Sequence, residues 1–300
     1  MLEFKEVATE DQCRLQPMLL KEKNRGCEYT FGNVIIWSQI YATKVAYYGE
    51  GAVIRHDRHG AGYLVPIGEY NLETMVELML EDAKSNGHEE RFNILAAELE
   101  DFNRIEDVFP NRFRYQLERD YSEYVYLSEN LRELQGKRYH NKRNHIARFI
   151  DNHPNYRFSV IDESNIDRVR QMNEEWKKRY TEDASANLKE EISVVSRAFD
   201  NFFDIGLDGG FIESNNEILA FSMGEPINDD IYCIHIEKAF HEVQGSYAII
   251  NREFARHYCK EHQYINREDD VGDEGLRKAK LSYYPDYITE KITIIPTNRA

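Results

Sequence analysis

The residues best suited to chemistry lie beyond position 230. A strand pattern over Ile231–Ile236 runs into Glu237-Lys238-Ala239-Phe240. It continues through His241-Glu242-Val243-Gln244-Gly245-Ser246-Tyr247-Ala248 into an amphipathic helix bearing Ile249, Ile250, Phe254 and Tyr258. A strand, a glycine turn and a helix start leave backbone N–H groups at the positive end of the helix dipole, a setting that suits a phosphate. Gly245, Ser246 and Tyr247 are therefore expected to bind a phosphorylated acyl donor. The competing reading is a glycine needed only for an ordinary strand-to-helix turn.

A second concentration runs from Asn266 to Pro285. Glu268, Asp269, Asp270, Asp273 and Glu274 surround Gly272 and Gly275, and Arg277 and Lys280 follow on one helical face. Such local density of opposite charge is typical of a site. The ligand order of an EF-hand is absent, so no metal is expected there. Arg277 and Lys280 are read as donor-binding cations.

The third stretch is basic. Gly136 to Phe149 carries Lys137, Arg138, Lys142, Arg143 and Arg148 with His140 and His145 and no acid, in a chain of formal net charge -16. On a helix read over 128–151, Arg138, Lys142 and His145 share one face. Lys137, Arg138, Lys142 and Arg143 are thus candidates to track a nucleic-acid backbone. The alternative is pairing with the chain's own acids, of which it has 54. The two histidines are not at the spacing of a helical metal pair.

Patterning supplies the elements that must position these groups. The first part reads as a strand at 3–7, helices at 9–23 and 30–43, three short strands between 44 and 66, a helix at 71–86, a strand at 92–96, a helix at 98–108, and strands at 113–118 and 122–127. The second part, after the basic helix, reads as a strand at 156–161, helices at 164–180 and 188–204, three strands between 210 and 239, a helix at 246–261, a strand at 263–268, a helix at 274–283 and a strand at 287–295. One order thus occurs twice, and it is similar to that of the GNAT acyltransferase fold. The expected architecture is an α/β (α+β) mixed-sheet protein of tandem GNAT-like units, 1–127 without a donor loop and 128–300 with the acyl-donor site. A single large α+β domain is the alternative. The turn of the first unit, Pro66-Ile67-Gly68-Glu69-Tyr70-Asn71, offers no phosphate loop. In the second unit, Glu242 and Ala248 depart from the GNAT turn, which usually has Arg or Gln three residues before the glycine and a small residue two after it.

Tyr29-Thr30-Phe31-Gly32-Asn33 with Trp37, the segment Gly136 to His145, and Asn266 to Pro285 together resemble the bacterial family related to the C-terminal domain of phosphatidylglycerol lysyltransferase, a tandem GNAT fold akin to the Fem aminoacyltransferases. The resemblance covers nearly the whole chain. It implies transfer of an aminoacyl group from aminoacyl-tRNA, or of another activated acyl group, to an amine or hydroxyl of a small-molecule or peptide acceptor. GNAT relatives hold the carbonyl at the splayed central strand, here near Cys233 to Ile236. Glu237 and Asp270, at the ends of successive strands, are then the candidate bases, and Tyr283, four residues after Ala279, the candidate leaving-group acid. The dull readings are a surface Glu237 paired with Lys238 or Lys291, a Tyr283 that packs in the core, and a His235 that is buried and satisfied. The other functional alternatives are an acyl-coenzyme A dependent N-acetyltransferase and a catalytically idle module that binds RNA or a peptide. The co-substrate is aminoacyl-tRNA or acyl-coenzyme A, with no tightly bound cofactor.

Composition sets the outer bounds. The 300 residues are 41% hydrophobic and 31% charged, the balance of a globular protein. No apolar run approaches the length a bilayer demands, so no transmembrane segment is expected, peripheral membrane contact stays open, and the cytoplasm is the default location. Cys13, Cys27, Cys233 and Cys259 form no CxxC pair and read as reduced thiols. GxSxG, Walker, GxGxxG and HExxH patterns are absent, which removes the serine hydrolase, nucleotide kinase, dinucleotide and zinc protease classes.

Overall fold

The computed structural model describes residues 1–22, 26–58, 60–181 and 186–297. They divide into two compact units. The first comprises Met1–Glu123, Asp269–Glu274 and Ile288–Ala300; the second comprises Tyr124–Glu268 and Gly275–Tyr287.

The sheet of the first unit runs Lys5–Glu6, Thr43–Tyr48, Gly51–His56, Gly62–Leu64, Asn93–Ala97, Ile292–Pro296 and Phe113–Leu117, with Ile67–Gly68 attached to Gly51–His56. Gly62–Leu64 and Asn93–Ala97 pair in parallel, as they must, because the helix Leu72–Ser85 carries the chain back between them. That helix starts where Asn71 Oδ1 accepts the Thr74 N–H at 2.9 Å, and it buries Met75, Val76, Met79 and Ala83. Each of the larger three contributes about 1.5–3 kcal/mol by leaving water. The turn before it is occupied by its own unit: Gly68 donates its N–H to Glu22 Oε1 at 3.1 Å.

The sheet of the second unit runs Tyr287–Ile288, Tyr124–Leu127, Tyr264–Asn266, Ile231–Ala239, Glu217–Pro226, Asp208–Ser214 and Arg157–Val160. Here too one pair is parallel, Ile231–Ala239 with Tyr264–Asn266, and the helix Ser246–Tyr258 makes the crossover. That helix is anchored by Ile249, Ile250 and Phe254, all fully buried.

Two features differ from the sequence expectation. The single cut near residue 127 becomes an exchange of strands: Tyr124–Leu127 lies in the second sheet, whereas the chain's last strand, Ile292–Pro296, lies between Asn93–Ala97 and Phe113–Leu117 of the first. An alternating apolar pattern tells a strand's buried face but not its sheet. The basic helix over 128–151 is also broken. Ser128–Glu133 ends at Leu134, with φ +50°, and the chain restarts after Gly136, with φ +83°, as a short 3₁₀ turn at Lys137–Tyr139 and the helix His140–Asn152. Positive φ at two sites so close together, Leu134 and Gly136, stops an α-helix, and glycine lowers the cost at the second.

Candidate active site

In the second unit the central strand is splayed. Parallel pairing registers Ile231 with Tyr264, Tyr232 with Ile265 and Cys233 with Asn266, and then stops, although the strand continues to Ala239. On its other edge the strand stays paired to Ala220–Pro226, with a register shift between Met223 and Gly224. Gly224 is required at that shift, since a Cβ there would lie 2.2 Å from the Cys233 carbonyl oxygen. Beyond Cys233 the strand thus has one edge released from the sheet, and Glu237 sits on that released stretch.

Glu237 is the centre of a charged cluster. Arg267 Nη2 donates to its Oε1 at 3.0 Å and Asn251 Nδ2 donates to its Oε2 at 3.0 Å. Asn251 is fully buried in the crossover helix, and Arg267 follows directly after the short parallel strand. The Arg267 guanidinium lies 4.8 Å from the Tyr283 ring centroid and 5.9 Å from that of Tyr126. Burial works against its charge, but the Glu237 carboxylate more than compensates, so Arg267 holds its proton more firmly than usual. Lys142 also meets Tyr283, with Nζ 3.6 Å from the ring centroid and 2.7 Å from Ser282 Oγ. Burial first, and the Arg267 charge second, bring the Lys142 ammonium down to about 8, against the opposing pull of Glu237. Burial raises the Tyr283 phenol above its ordinary value despite Arg267, so it remains a proton donor.

Two polar atoms of this cluster are buried without a hydrogen-bond partner among the described residues, Arg267 Nη1 and Asn251 Oδ1. One is a donor, the other an acceptor, and both flank the Glu237 carboxylate. Orphaned groups of this kind cost roughly 1–3 kcal/mol each and are uncommon in native interiors.

Glu237 and Tyr283, two of the three expected catalytic residues, are therefore joined through Arg267. Tyr283 lies just past the helix Glu274–Leu281, not within it, and its peptide carbonyl accepts the Tyr139 hydroxyl at 3.0 Å. Asp270 belongs to the other unit, where its Oδ1 accepts the Gly272 N–H at 3.0 Å and Arg119 stands 3.6 Å from its Oδ2. The partners considered for Glu237 are engaged elsewhere: Lys238 with Glu191 at 2.6 Å, and Lys291 with Glu123 at 2.6 Å and Glu28 at 2.5 Å.

The residues of the expected donor loop also pack within their own unit. Gly245, at φ +87°, packs so closely that a Cβ would meet the His145 carbonyl oxygen at 2.2 Å. Ser246 is buried and donates to the Phe240 carbonyl at 2.9 Å. Tyr247, half-buried, stays close enough to Glu237 for that charge to add to burial in raising its phenol. Glu242 pairs with Arg179 at 2.6 Å. Lys280 donates to the Arg267 carbonyl at 2.6 Å, and Arg277 is half-buried on the same helix.

The basic residues separate likewise. Lys137 and Arg138 are exposed, and Arg138 lies 5.6 Å from the ring centroid of Tyr284, itself 45% exposed. Lys142 turns inward to Tyr283, and Arg143 is taken by the carbonyls of Leu134 and Gly136, so neither presents its charge along an outer helix face. Sequence reasoning missed Asn251 and Arg267. Arg267 was in a segment marked for its charge; Asn251, a lone amide on an apolar helix face, was the available signal. A surface hollow of about 480 Å³ lined by Lys84, Gly87, His88, Glu89, Glu90 and Arg91 belongs to the first unit and contains none of these groups. Among the described residues, no helix is long and apolar enough to cross a membrane.

Comparison with known proteins agrees with this architecture. The model of the family described as phosphatidylglycerol lysyltransferase, C-terminal, matches residues 21–295. A conserved protein of unknown function from Bacteroides thetaiotaomicron VPI-5482 is 34% identical, with 98% of this chain and 99% of that one covered at a TM-score of 0.93. L-PGS from Bacillus licheniformis is 15% identical, with 95% and 92% covered and a TM-score of 0.65. FemX is 8% identical, with 99% and 98% covered and a TM-score of 0.63. These last two share the mixed α/β fold of two mixed sheets. No curated protein matches the sequence.

Proposed function

Because the chain belongs to the family of phosphatidylglycerol lysyltransferase C-terminal domains, we propose that it transfers an aminoacyl group from aminoacyl-tRNA to an amine or hydroxyl acceptor. One observation carries the choice of an aminoacyl over a simple acyl group: the orphaned donor Arg267 Nη1 and the orphaned acceptor Asn251 Oδ1 beside the Glu237 carboxylate. An aminoacyl ester presents a carbonyl oxygen and an α-ammonium on adjacent carbons. The carbonyl suits Arg267, and the ammonium suits Asn251 Oδ1 and Glu237, whose oxygens keep spare lone pairs. An acetyl thioester would satisfy only the donor.

In this reading the acceptor's nucleophile attacks the ester carbon, negative charge grows on the carbonyl oxygen, and Arg267 stabilises it in a site already oriented for that charge. The bond to the tRNA ribose oxygen then breaks. Neutral Lys142 takes the acceptor's proton, and Tyr283 returns one to the departing ribose oxygen. Glu237 holds both Arg267 and the α-ammonium in place, which is the positioning part of the rate enhancement. Exposed Lys137, Arg138 and Tyr284 offer charge and a stacking face for RNA.

The test is equilibrium binding of a hydrolysis-resistant 3′-aminoacylamino nucleoside and of its analogue lacking only the α-amino group. A charge-assisted hydrogen bond is worth about 1.5–3 kcal/mol, so the deaminated analogue should bind at least tenfold more weakly. That difference should shrink in Asn251→Leu, where only Glu237 remains to hold the ammonium. Equal binding of the two analogues, or tighter binding of coenzyme A thioesters, would contradict the assignment.

A further inference from the structure

We propose that the second unit contains a transition-metal site of zinc type, formed by Cys233 Sγ, His235 Nδ1 and Glu268 Oε1. The three ligand atoms all lie within 4.8 Å of one another. Cys233 Sγ is 3.5 Å from His235 Nδ1, and Glu268 Oε1 is 2.7 Å from the same nitrogen. Bond lengths to zinc of about 2.3 Å for sulfur and about 2.0 Å for nitrogen and oxygen give tetrahedral ligand separations near 3.3–3.6 Å. The sulfur–nitrogen distance already matches, and the carboxylate needs to withdraw by only about 0.6 Å.

Local structure explains the convergence. Cys233 and His235 are two residues apart on one strand and therefore on one face. Glu268 arrives from the neighbouring parallel strand, whose Asn266 is in register with Cys233. It does so through a backbone at φ +58°, held by the Asn266 side chain, which accepts the Glu268 N–H at 2.8 Å. A non-glycine residue in that conformation is costly and marks positions where geometry matters beyond folding.

Beyond the three ligands, His235 Nε2 is 3.0 Å from Glu225 Oε1, and the Glu225 side chain is only 4% exposed. Both ring nitrogens face carboxylates, so His235 holds a proton on each; an ion would displace the proton on Nδ1 while Glu225 keeps the one on Nε2, the arrangement that orients metal-ligating histidines. Thiolate and carboxylate together neutralise a divalent ion, and the mixed sulfur, nitrogen and oxygen set favours zinc over magnesium or calcium. Glu268, 21% exposed at its side chain, supplies the way in, and three protein ligands leave the fourth position to solvent. In the comparable group Cys27, Glu28 and Glu123 of the first unit, the cation between the two carboxylates is the Lys291 ammonium, whereas His235 can exchange a ring proton for the ion and stay as its ligand.

The experiment uses the full chain and Co²⁺ as a spectroscopic probe, with Zn²⁺ retention measured by elemental analysis after dialysis. One equivalent of metal is expected, together with a near-ultraviolet thiolate-to-cobalt band. Cys233→Ser should abolish that band, Cys27→Ser should leave it intact, and Glu225→Gln should weaken affinity 10- to 100-fold. Should Cys233→Ser fail to fold by circular dichroism, Glu268→Gln at the half-exposed turn serves instead, and it should lower affinity at least tenfold with the band retained. No stoichiometric uptake by folded protein, a band that survives Cys233→Ser, or affinity unchanged in Glu268→Gln would overturn the proposal.

Discussion

The ammonium of Lys142 lies over the Tyr283 ring, 3.6 Å from its centroid, and hydrogen-bonds Ser282 at 2.7 Å. Burial and the nearby Arg267 guanidinium hold it at about 8, although Glu237 pulls the other way. In the unfolded chain the same group keeps its proton up to about 10.5. Between those values the unfolded state binds more protons than the folded one, so this group's contribution to stability increases with pH across that window. Subtracting the Lys142→Met thermal midpoint from that of the wild type, pH by pH, should therefore give a difference that moves in favour of the wild type from about pH 8 to 10.5. A flat difference would mean that Lys142 carries its charge unperturbed.

Arg267 and Glu237 form an ion pair whose side chains are only 13% and 11% exposed. Removing one member leaves a buried charge without compensation, which typically costs about 3–5 kcal/mol. Glu237→Gln should lower the unfolding free energy by that amount, read from the shift of the urea transition. The double variant Glu237→Gln with Arg267→Met should recover much of it, giving a coupling energy of more than about 1 kcal/mol in the mutant cycle. Additive effects would show that the pair is not energetically linked.

Gly245 has no conservative substitute. Its φ of +87° and the His145 carbonyl oxygen at 2.2 Å from a built Cβ act together. Gly245→Ala should destabilise the protein by roughly 2–5 kcal/mol, from backbone strain plus displacement of the helix His140–Asn152. A midpoint within error of the wild type would refute the close approach.

The basic segment should separate into two behaviours. Arg138→Ala and Lys137→Ala should each weaken RNA binding and reduce the slope of log affinity against log salt by about 0.7–0.9, the value of one lost phosphate contact. Arg143→Ala, whose guanidinium serves the carbonyls of Leu134 and Gly136, should lower thermal stability and leave the salt slope unchanged. Reversal of the two patterns would place the RNA on a different surface.

Much of the fold was legible because its signals are local. The repeated order of elements, the amphipathic stripe of Leu72–Ser85 and the crossover helix after Gly245 all follow from apolar spacing and glycine placement. The strand exchange was not, because Tyr124–Leu127 and Ile292–Pro296 carry patterns that fit either sheet. For the site, Glu237 was singled out at the end of its strand pattern and Tyr283 by resemblance to GNAT relatives, and both lie against Arg267. Lys142 was read as an outward cation, since charge alone does not reveal that a break at Gly136 turns its side chain toward Tyr283. Asn251 stayed hidden because its function depends on a carboxylate 14 residues away that it meets only in the folded unit.

The most direct trial of the aminoacyl assignment is a single-turnover assay following labelled amino acids on total charged tRNA, with mixed amine and hydroxyl acceptors. The wild type should discharge at least one amino acid faster than buffer and pass it to an acceptor, and Tyr283→Phe, which deletes one hydroxyl, should slow that transfer about 100-fold or more. If no charged tRNA is discharged while acetyl-coenzyme A is consumed, or if Tyr283→Phe transfers as fast as the wild type, the account is contradicted.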